Sequence, residues 1–230
     1  IVGRLLGQVC GLIQMIIPTV SYLKKDNSTV SLKRLLFGLK RYKRFFIFGA
    51  PSQLINALGL QLPIICLSSF YGPKETGLFG LSYAIISLPV NIIGLSIADV
   101  FYSKAVNIGN SNPGALKRLS KKLVIHLLVI GTGPLIVLLL FGPVLFSVVF
   151  GEKWVNAGVY AQILSFSAFS RFVFFPVSRV FEVYEKQKEA FAIDIARFLL
   201  VLLGFTIAKV FSINSFYSIG IYSLIMTIIY

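Results

Sequence analysis

Of 230 residues, 57% are hydrophobic and 13% charged, with 22 Lys and Arg against 8 Asp and Glu and a formal net charge of +14. A soluble domain carries about 25% charged residues, so a water-facing globular surface is excluded, and a mean hydropathy of +0.86 agrees. Nucleic-acid binding is excluded as well, because it needs a basic stripe on a soluble surface and here the basic residues sit between apolar runs.

A helix needs about 20 residues at 1.5 Å rise to cross a hydrocarbon layer of about 30 Å. Seven stretches reach that length: 5–23, 45–70, 78–102, 123–150, 155–177, 190–208 and 213–230. None alternates as an outer-membrane strand would, so the fold class is all-α, a polytopic transmembrane bundle of about seven helices. Cys10 and Cys66 lie within apolar runs, without metal or disulfide spacing, and read as small apolar fillers. The chain opens Ile-Val-Gly, without an initiator Met or a charged leader, and begins and ends in apolar sequence; it reads as a fragment of a longer protein.

The first span is followed by the loop 24–44, KKDNSTVSLKRLLFGLKRYKR, with eight basic residues and one acid, Asp26. A Lys/Arg excess in short loops marks the cytoplasmic side. Alternation then puts loops 24–44, 103–122 and 179–189 inside and loops 71–77, 151–154 and 209–212 outside, a division of sixteen basic residues against three. Within the first loop, Leu32, Leu35, Leu36, Leu39, Tyr42 and Phe46 recur at helical spacing, with Lys33, Arg34, Lys40, Arg41 and Arg44 off that stripe. That pattern predicts a helix lying in the headgroup layer, set there for orientation and anionic headgroup contact.

Helix breakers recur within later spans: Pro51, Pro63, Pro89, Gly131 to Pro134, Gly142-Pro143 and Pro176. Proline removes a backbone bond, which membrane helices tolerate where neighbours satisfy the freed carbonyl. No P-loop, GxSxG, HExxH or Asp-rich metal motif occurs, and no metal site or cofactor is expected. The single histidine, His126, sits beside Lys121 and Lys122 at the start of a span and reads as interfacial.

Ionisable groups within spans carry the chemistry, since a charge in hydrocarbon costs at least about 2.5–3.5 kcal/mol and so faces the bundle interior or a wet cavity. They are Arg4, Asp99, Arg171, Asp194 and Arg197. Asp194 and Arg197 stand three residues apart and can neutralise each other; Asp99, near the inner end of its span, can snorkel. Arg171 has only Ser167 and Ser170 as polar neighbours within helical reach. A guanidinium fork suits a phosphate, so Arg171, with Arg197 and Arg4, is the candidate contact for an anionic substrate such as a diphosphate, against an interhelical ion pair as the plainer reading. Gln53 and Asn56, with Asn91 on the next span, either line a hydrophilic cavity or hydrogen-bond between helices. Asp99 and Asp194 are the candidates for a coupling ion, a proton or sodium.

Two stretches, FGAPSQLINALGLQLPIICLSSFYGPKETGLFGLSYAIISLPVNIIG (48–94) and FGPVLFSVVFGEKWVNAGVYAQIL (141–164), resemble the polysaccharide-biosynthesis family of O-antigen-unit and oligosaccharide flippases, in the multidrug/oligosaccharidyl-lipid/polysaccharide exporter superfamily. The resemblance rests on Pro51, Asn56, Leu62-Pro63, Tyr71-Gly72, Gly77, Tyr83-Ala84, Pro89, Phe150-Gly151, Trp154, Ala157-Gly158 and Pro176. It implies that residues 1–23 are the last helix of an N-terminal lobe, 24–44 the inter-lobe loop and 45–230 a C-terminal lobe of six helices. It further implies a multi-pass protein of the bacterial inner membrane, not an enzyme, that moves undecaprenyl-diphosphate-linked oligosaccharide across the bilayer by alternating access. Implied partners are membrane lipid, the lipid-linked substrate, a polysaccharide polymerase and a chain-length regulator. Rival readings are a multidrug cation antiporter of the same superfamily, which would need acidic cavity residues, and a membrane polymerase or ligase, which would need a large outer loop.

Overall fold

The computed structural model describes residues 14, 40, 45–109 and 112–230. The first span, the basic loop with its interfacial helix, Cys10 and Arg4 thus lie outside the described residues, Gln14 and Lys40 apart. Arg44–Tyr230 is a compact unit of its own, and within it no strand occurs among the described residues.

A π-turn, Phe45–Gly49, leads into α1, Ala50–Tyr71. After Gly72 comes α2, Pro73–Pro89, which passes through a second π-turn, Val90–Gly94, into α3, Leu95–Ile108. Next are α4, Pro113–Phe150, a 3-10 turn, Glu152–Trp154, and α5, Val155–Ser178. The one-turn α6, Val180–Val183, precedes α7, Gln187–Val210, and α8, Ser215–Ile229. Two outer turns depend on glycine at positive φ, Gly72 at 85° and Gly151 at 96°, a backbone region that side-chain-bearing residues rarely enter.

Among the described residues, five helical stretches are long and apolar enough to cross a membrane: Ile47–Tyr71, Pro73–Ile108, Pro113–Phe150, Glu152–Val183 and Gln187–Val210, with Ser215–Ile229 a shorter apolar helix. The all-α polytopic fold is therefore present. Helix boundaries differ from hydropathy at one place in particular. The inner loop expected over 103–122 is mostly helix, because α3 runs on to Ile108 and α4 starts at Pro113. Asn112 caps α4 by accepting the Ala115 N–H at 3.0 Å, and Pro113 at the first turn lacks only a donor that has no helical partner there. Lys117, Arg118, Lys121 and Lys122 are good helix formers, so charge ends the apolar run without ending the helix.

The bundle is built around α5, which packs against α4, α8, α2 and α3, while α1 packs against α7 and α2. The main core joins Leu67, Phe79, Tyr160, Leu164, Phe205, Ile219, Tyr222 and Met226. Many apolar side chains point outward instead; on α4, Val129, Ile130, Leu140, Val148 and Val149 are all exposed. A band of that kind is stable only against lipid or further protein.

The α4–α5 crossing explains a proline and two glycines together. A Cβ added at Gly158 would stand 2.5 Å from Gly142 O and from the Pro143 Cα, and one at Gly142 would stand 2.8 Å from Gly158 O. The two backbones touch, as small residues permit in membrane helices. Pro143 has no N–H for the carbonyl four residues back, that of Leu139. Gln162 of α5 supplies the missing donor, its Nε2 lying 2.6 Å from Leu139 O.

Candidate functional site

Two polar groups meet inside the bundle between α1, α2, α5, α7 and α8. The first is a partly buried ion pair on one face of α7, where a three-residue separation puts the Arg197 Nη1 3.3 Å from the Asp194 Oδ1, with side chains 11% and 16% exposed. Ser52 of α1 donates its hydroxyl to the other carboxylate oxygen of Asp194. Asn56, one turn further along α1, accepts from Arg197 at 3.0 Å. The guanidinium also lies over the Tyr230 ring, 4.4 Å from its centroid, a cation–π contact favoured in a desolvated setting. Asp194 thus has an internal cation and a hydroxyl on its two oxygens, and Asn56 serves as an interhelical acceptor.

The second group is centred on Arg171 of α5. Its Nη1 is 3.4 Å from the Tyr83 hydroxyl and its Nη2 3.5 Å from the Asn91 side-chain oxygen. Both distances are at the long limit of hydrogen bonding, and the buried Nε has no acceptor among the described residues. Asn91 reaches Arg171 because Pro89, which cannot donate to the turn before it, is followed by the π-turn that carries Asn91. Beside Arg171 lies a cleft lined by Tyr83, Ser87, Ser167 and Tyr222, with about 20 Å³ of free space, enough for one water molecule. A larger anion would meet Arg171 from the exposed Asn91 side, outside this cleft.

The charges of the two groups do not cancel. Asp194 answers Arg197, whereas Arg171 has no acidic partner among the described residues. One positive charge is left within a membrane-spanning bundle, a costly arrangement that an anion would relieve.

Other residues singled out from the sequence lie apart from these groups. Gln53 is exposed on α1, as is Gln61 two turns on. Leu54, Leu58 and Ile65 are exposed on the same side of α1, so this edge mixes two amides with large apolar side chains. Asp99 stands in the second turn of α3, its side chain 71% exposed, and pairs at 3.3 Å with Arg179, which also binds Glu182 at 2.7 Å. His126 is exposed and its Nδ1 lies 2.7 Å from the Lys122 carbonyl. Arg4 lies outside the described residues. Sequence reasoning missed Tyr83, Tyr222 and Tyr230. For Tyr83 and Tyr222 the signal was tyrosine within an apolar span and away from the interfacial belts where it is enriched; Tyr230, at the end of its span, gave none. It also missed an outer cluster of Tyr71, Glu75, Tyr160 and Ser215, since Glu75 stands in a short loop by hydropathy.

A family described as polysaccharide biosynthesis protein matches residues 5–159. The chain belongs to that family. Within curated sequences, this polysaccharide biosynthesis family member is 26% identical over 201 residues to the teichuronic acid biosynthesis protein TuaB of Bacillus subtilis (strain 168), covering 84% of this chain and 40% of TuaB. It is likewise 26% identical over 132 residues to the capsular polysaccharide biosynthesis protein CapF of Staphylococcus aureus, covering 56% of this chain and 33% of CapF. The chain therefore spans well under half the length of these relatives. No solved structure matches it.

The positions that carried the family resemblance prove largely architectural. Gly72 and Gly151 make the outer turns. Ala157 offers its carbonyl to Ser82 of α2 at 2.6 Å, and Gly158 allows the α4–α5 contact. Trp154 packs against the main core at the start of α5. Asn56 and Tyr83 are exceptions, since each contacts an intramembrane arginine.

Proposed function

We propose that the intact protein translocates undecaprenyl-diphosphate-linked oligosaccharide from the inner to the outer leaflet of the bacterial cytoplasmic membrane, in O-antigen, capsule or exopolysaccharide assembly. The observation that carries this reading is Arg171, a guanidinium inside the bundle with two long hydrogen bonds, a buried unpartnered Nε and no acidic partner among the described residues. A guanidinium binds phosphate oxygens through its fork of donors, and the exposed Asn91 beside it would hydrogen-bond a sugar or a phosphate ester. The stripe of Gln53 and Gln61 would line the same hydrophilic cavity, with the lipid tail left in the bilayer. Membership in a polysaccharide biosynthesis family and the likeness to proteins named for teichuronic acid and capsule synthesis support this substrate class.

In this reading the protein forms and breaks no covalent bond. It works by alternating access between two lobes and passes its cargo to a polymerase and a chain-length regulator. Asp194 is held by Arg197 and Ser52 in this arrangement, and would bind a coupling ion only after that pair opens.

The test is the leaflet position of lipid-linked oligosaccharide in cells whose only copy carries Arg171→Glu. Complete units held on the cytoplasmic face, with the variant inserted at normal levels, are expected; Arg171→Lys should retain part of the flux. Normal translocation by Arg171→Glu would refute the assignment. Units that cross yet stay unpolymerised would favour an enzyme, and unchanged lipids with altered cation tolerance an antiporter.

A further inference from the structure

The helix α4 carries all its cations at one end and on its outside. Lys117, Arg118, Lys121 and Lys122 fall within its first three turns, and all four are exposed. No Asp or Glu occurs anywhere in Pro113–Phe150. None of the four cations has an acidic partner among the described residues, whereas Arg179 and Arg197 are both paired. They stand near the helix end where the macrodipole disfavours positive charge, and the first turn holds no acid to offset it. The bundle's own contacts thus give these charges no counterpart.

Packing fixes the direction in which they point. Leu116, Leu119 and Leu123 pack into an inner core with Phe101 and Ala105 of α3, and the buried Leu127 continues that side one turn further. The cations take the opposite side. There, at helical spacing, one face runs Arg118, Lys122, Ile125, Val129, Ile136 and Leu140, its four apolar members between 49% and 72% exposed. The span to which they belong is the most apolar and the least buried of the five among the described residues. A face turned to a water-filled cavity would carry polar groups, so this one meets acyl chains. Arg118 and Lys122 stand about 5–10 Å along the axis from Ile125, close to the depth of the headgroup layer. The face passes from hydrocarbon to cation where the bilayer passes from acyl chain to phosphate.

We infer that the first three turns of α4 are a docking surface for anionic phospholipid. The headgroup phosphates meet Lys117, Arg118, Lys121 and Lys122, and the acyl chains lie along Ile125 and Val129. Arg118 offers a fork of donors to phosphate oxygens, and the lysines act as point charges. Bound lipid supplies the negative charge that the helix lacks, and it holds the inner end of α4 at headgroup depth.

Fluorescence quenching by brominated lipids tests this on the intact protein in nanodiscs. It needs no transport measurement, so it stands or falls apart from the flippase reading. Ile125→Trp sets an indole at the boundary of the face, with the protein's other tryptophans replaced by Phe. Brominated phosphatidylglycerol should associate there about fivefold more strongly than brominated phosphatidylcholine, the factor that one cation near a charged headgroup supplies. Adding Lys117→Gln, Arg118→Gln, Lys121→Gln and Lys122→Gln together should bring the ratio to one. The milder pair Arg118→Gln and Lys122→Gln should lower it partway, which keeps the test decisive where the fourfold variant fails to insert. Lys117→Arg, Lys121→Arg and Lys122→Arg together should preserve it, and salt at about 1 M should reduce it. Equal association of the two lipids before any cation is changed would overturn the inference, as would a preference that the glutamine variants leave intact. Weak quenching by both lipids would mean that protein covers this face, and the lipid surface would be wrong.

Discussion

The bond from Gln162 to the Leu139 carbonyl offers the sharpest test of how this bundle is held. Replacing Gln162 by Leu keeps much of the volume and removes the side-chain donor that reaches that carbonyl, 2.6 Å away. Pro143 cannot replace it, and hydrocarbon cannot either. The cost of an unsatisfied buried acceptor is about 1–3 kcal/mol, whereas side-chain hydrogen bonds in membrane bundles average about 0.6 kcal/mol where the freed group finds another partner. Here Pro143 denies the carbonyl its usual helical donor, so Gln162→Leu should cost about 2 kcal/mol. Pro143→Ala restores a backbone N–H aimed at the same carbonyl, and in that background Gln162→Leu should cost about 0.6 kcal/mol or less. A coupling of about 1.4 kcal/mol between the two substitutions is therefore expected. Reversible unfolding of the four proteins in mixed detergent micelles measures it. Equal costs for Gln162→Leu with and without Pro143 would refute the reasoning.

Two further outcomes follow from the packing. Gly158→Ala sets a methyl against backbone atoms 2.5 Å away that cannot yield; it should cost about 3 kcal/mol or more, read as a fall in folded yield and melting temperature, while Ala at the exposed Gly77 should be tolerated there. Arg197→Gln strands Asp194 in a half-buried site and should cost about 3–5 kcal/mol, whereas Arg197→Gln with Asp194→Asn should recover most of that loss; a double variant as unstable as the single one would show that the pair is not what matters.

Much of this protein was legible in its residues. Apolar stretches of membrane length placed the helices, since hydrocarbon admits a helix whose backbone bonds are internal. The i, i+3 spacing of Asp194 and Arg197 placed both on one face of α7. Cationic Arg171 was visible as a charge without a local partner. Tertiary structure decided which of these polar residues meet. That Asn56 serves Arg197 while Gln53, three residues before it, stays exposed depends on which face of α1 packs against α7. That Asn91 reaches Arg171 depends on the π-turn after Pro89, a local shift in helical register that hydropathy does not carry. Glu75, Tyr160 and Ser215 are far apart in the chain, and only the meeting of three helix starts brings their oxygens into contact. Burial in a membrane protein is written in the sequence as an average over each span, because lipid-facing and core-facing positions alike are mostly apolar; the pairing of its few polar atoms is a property of the packed bundle.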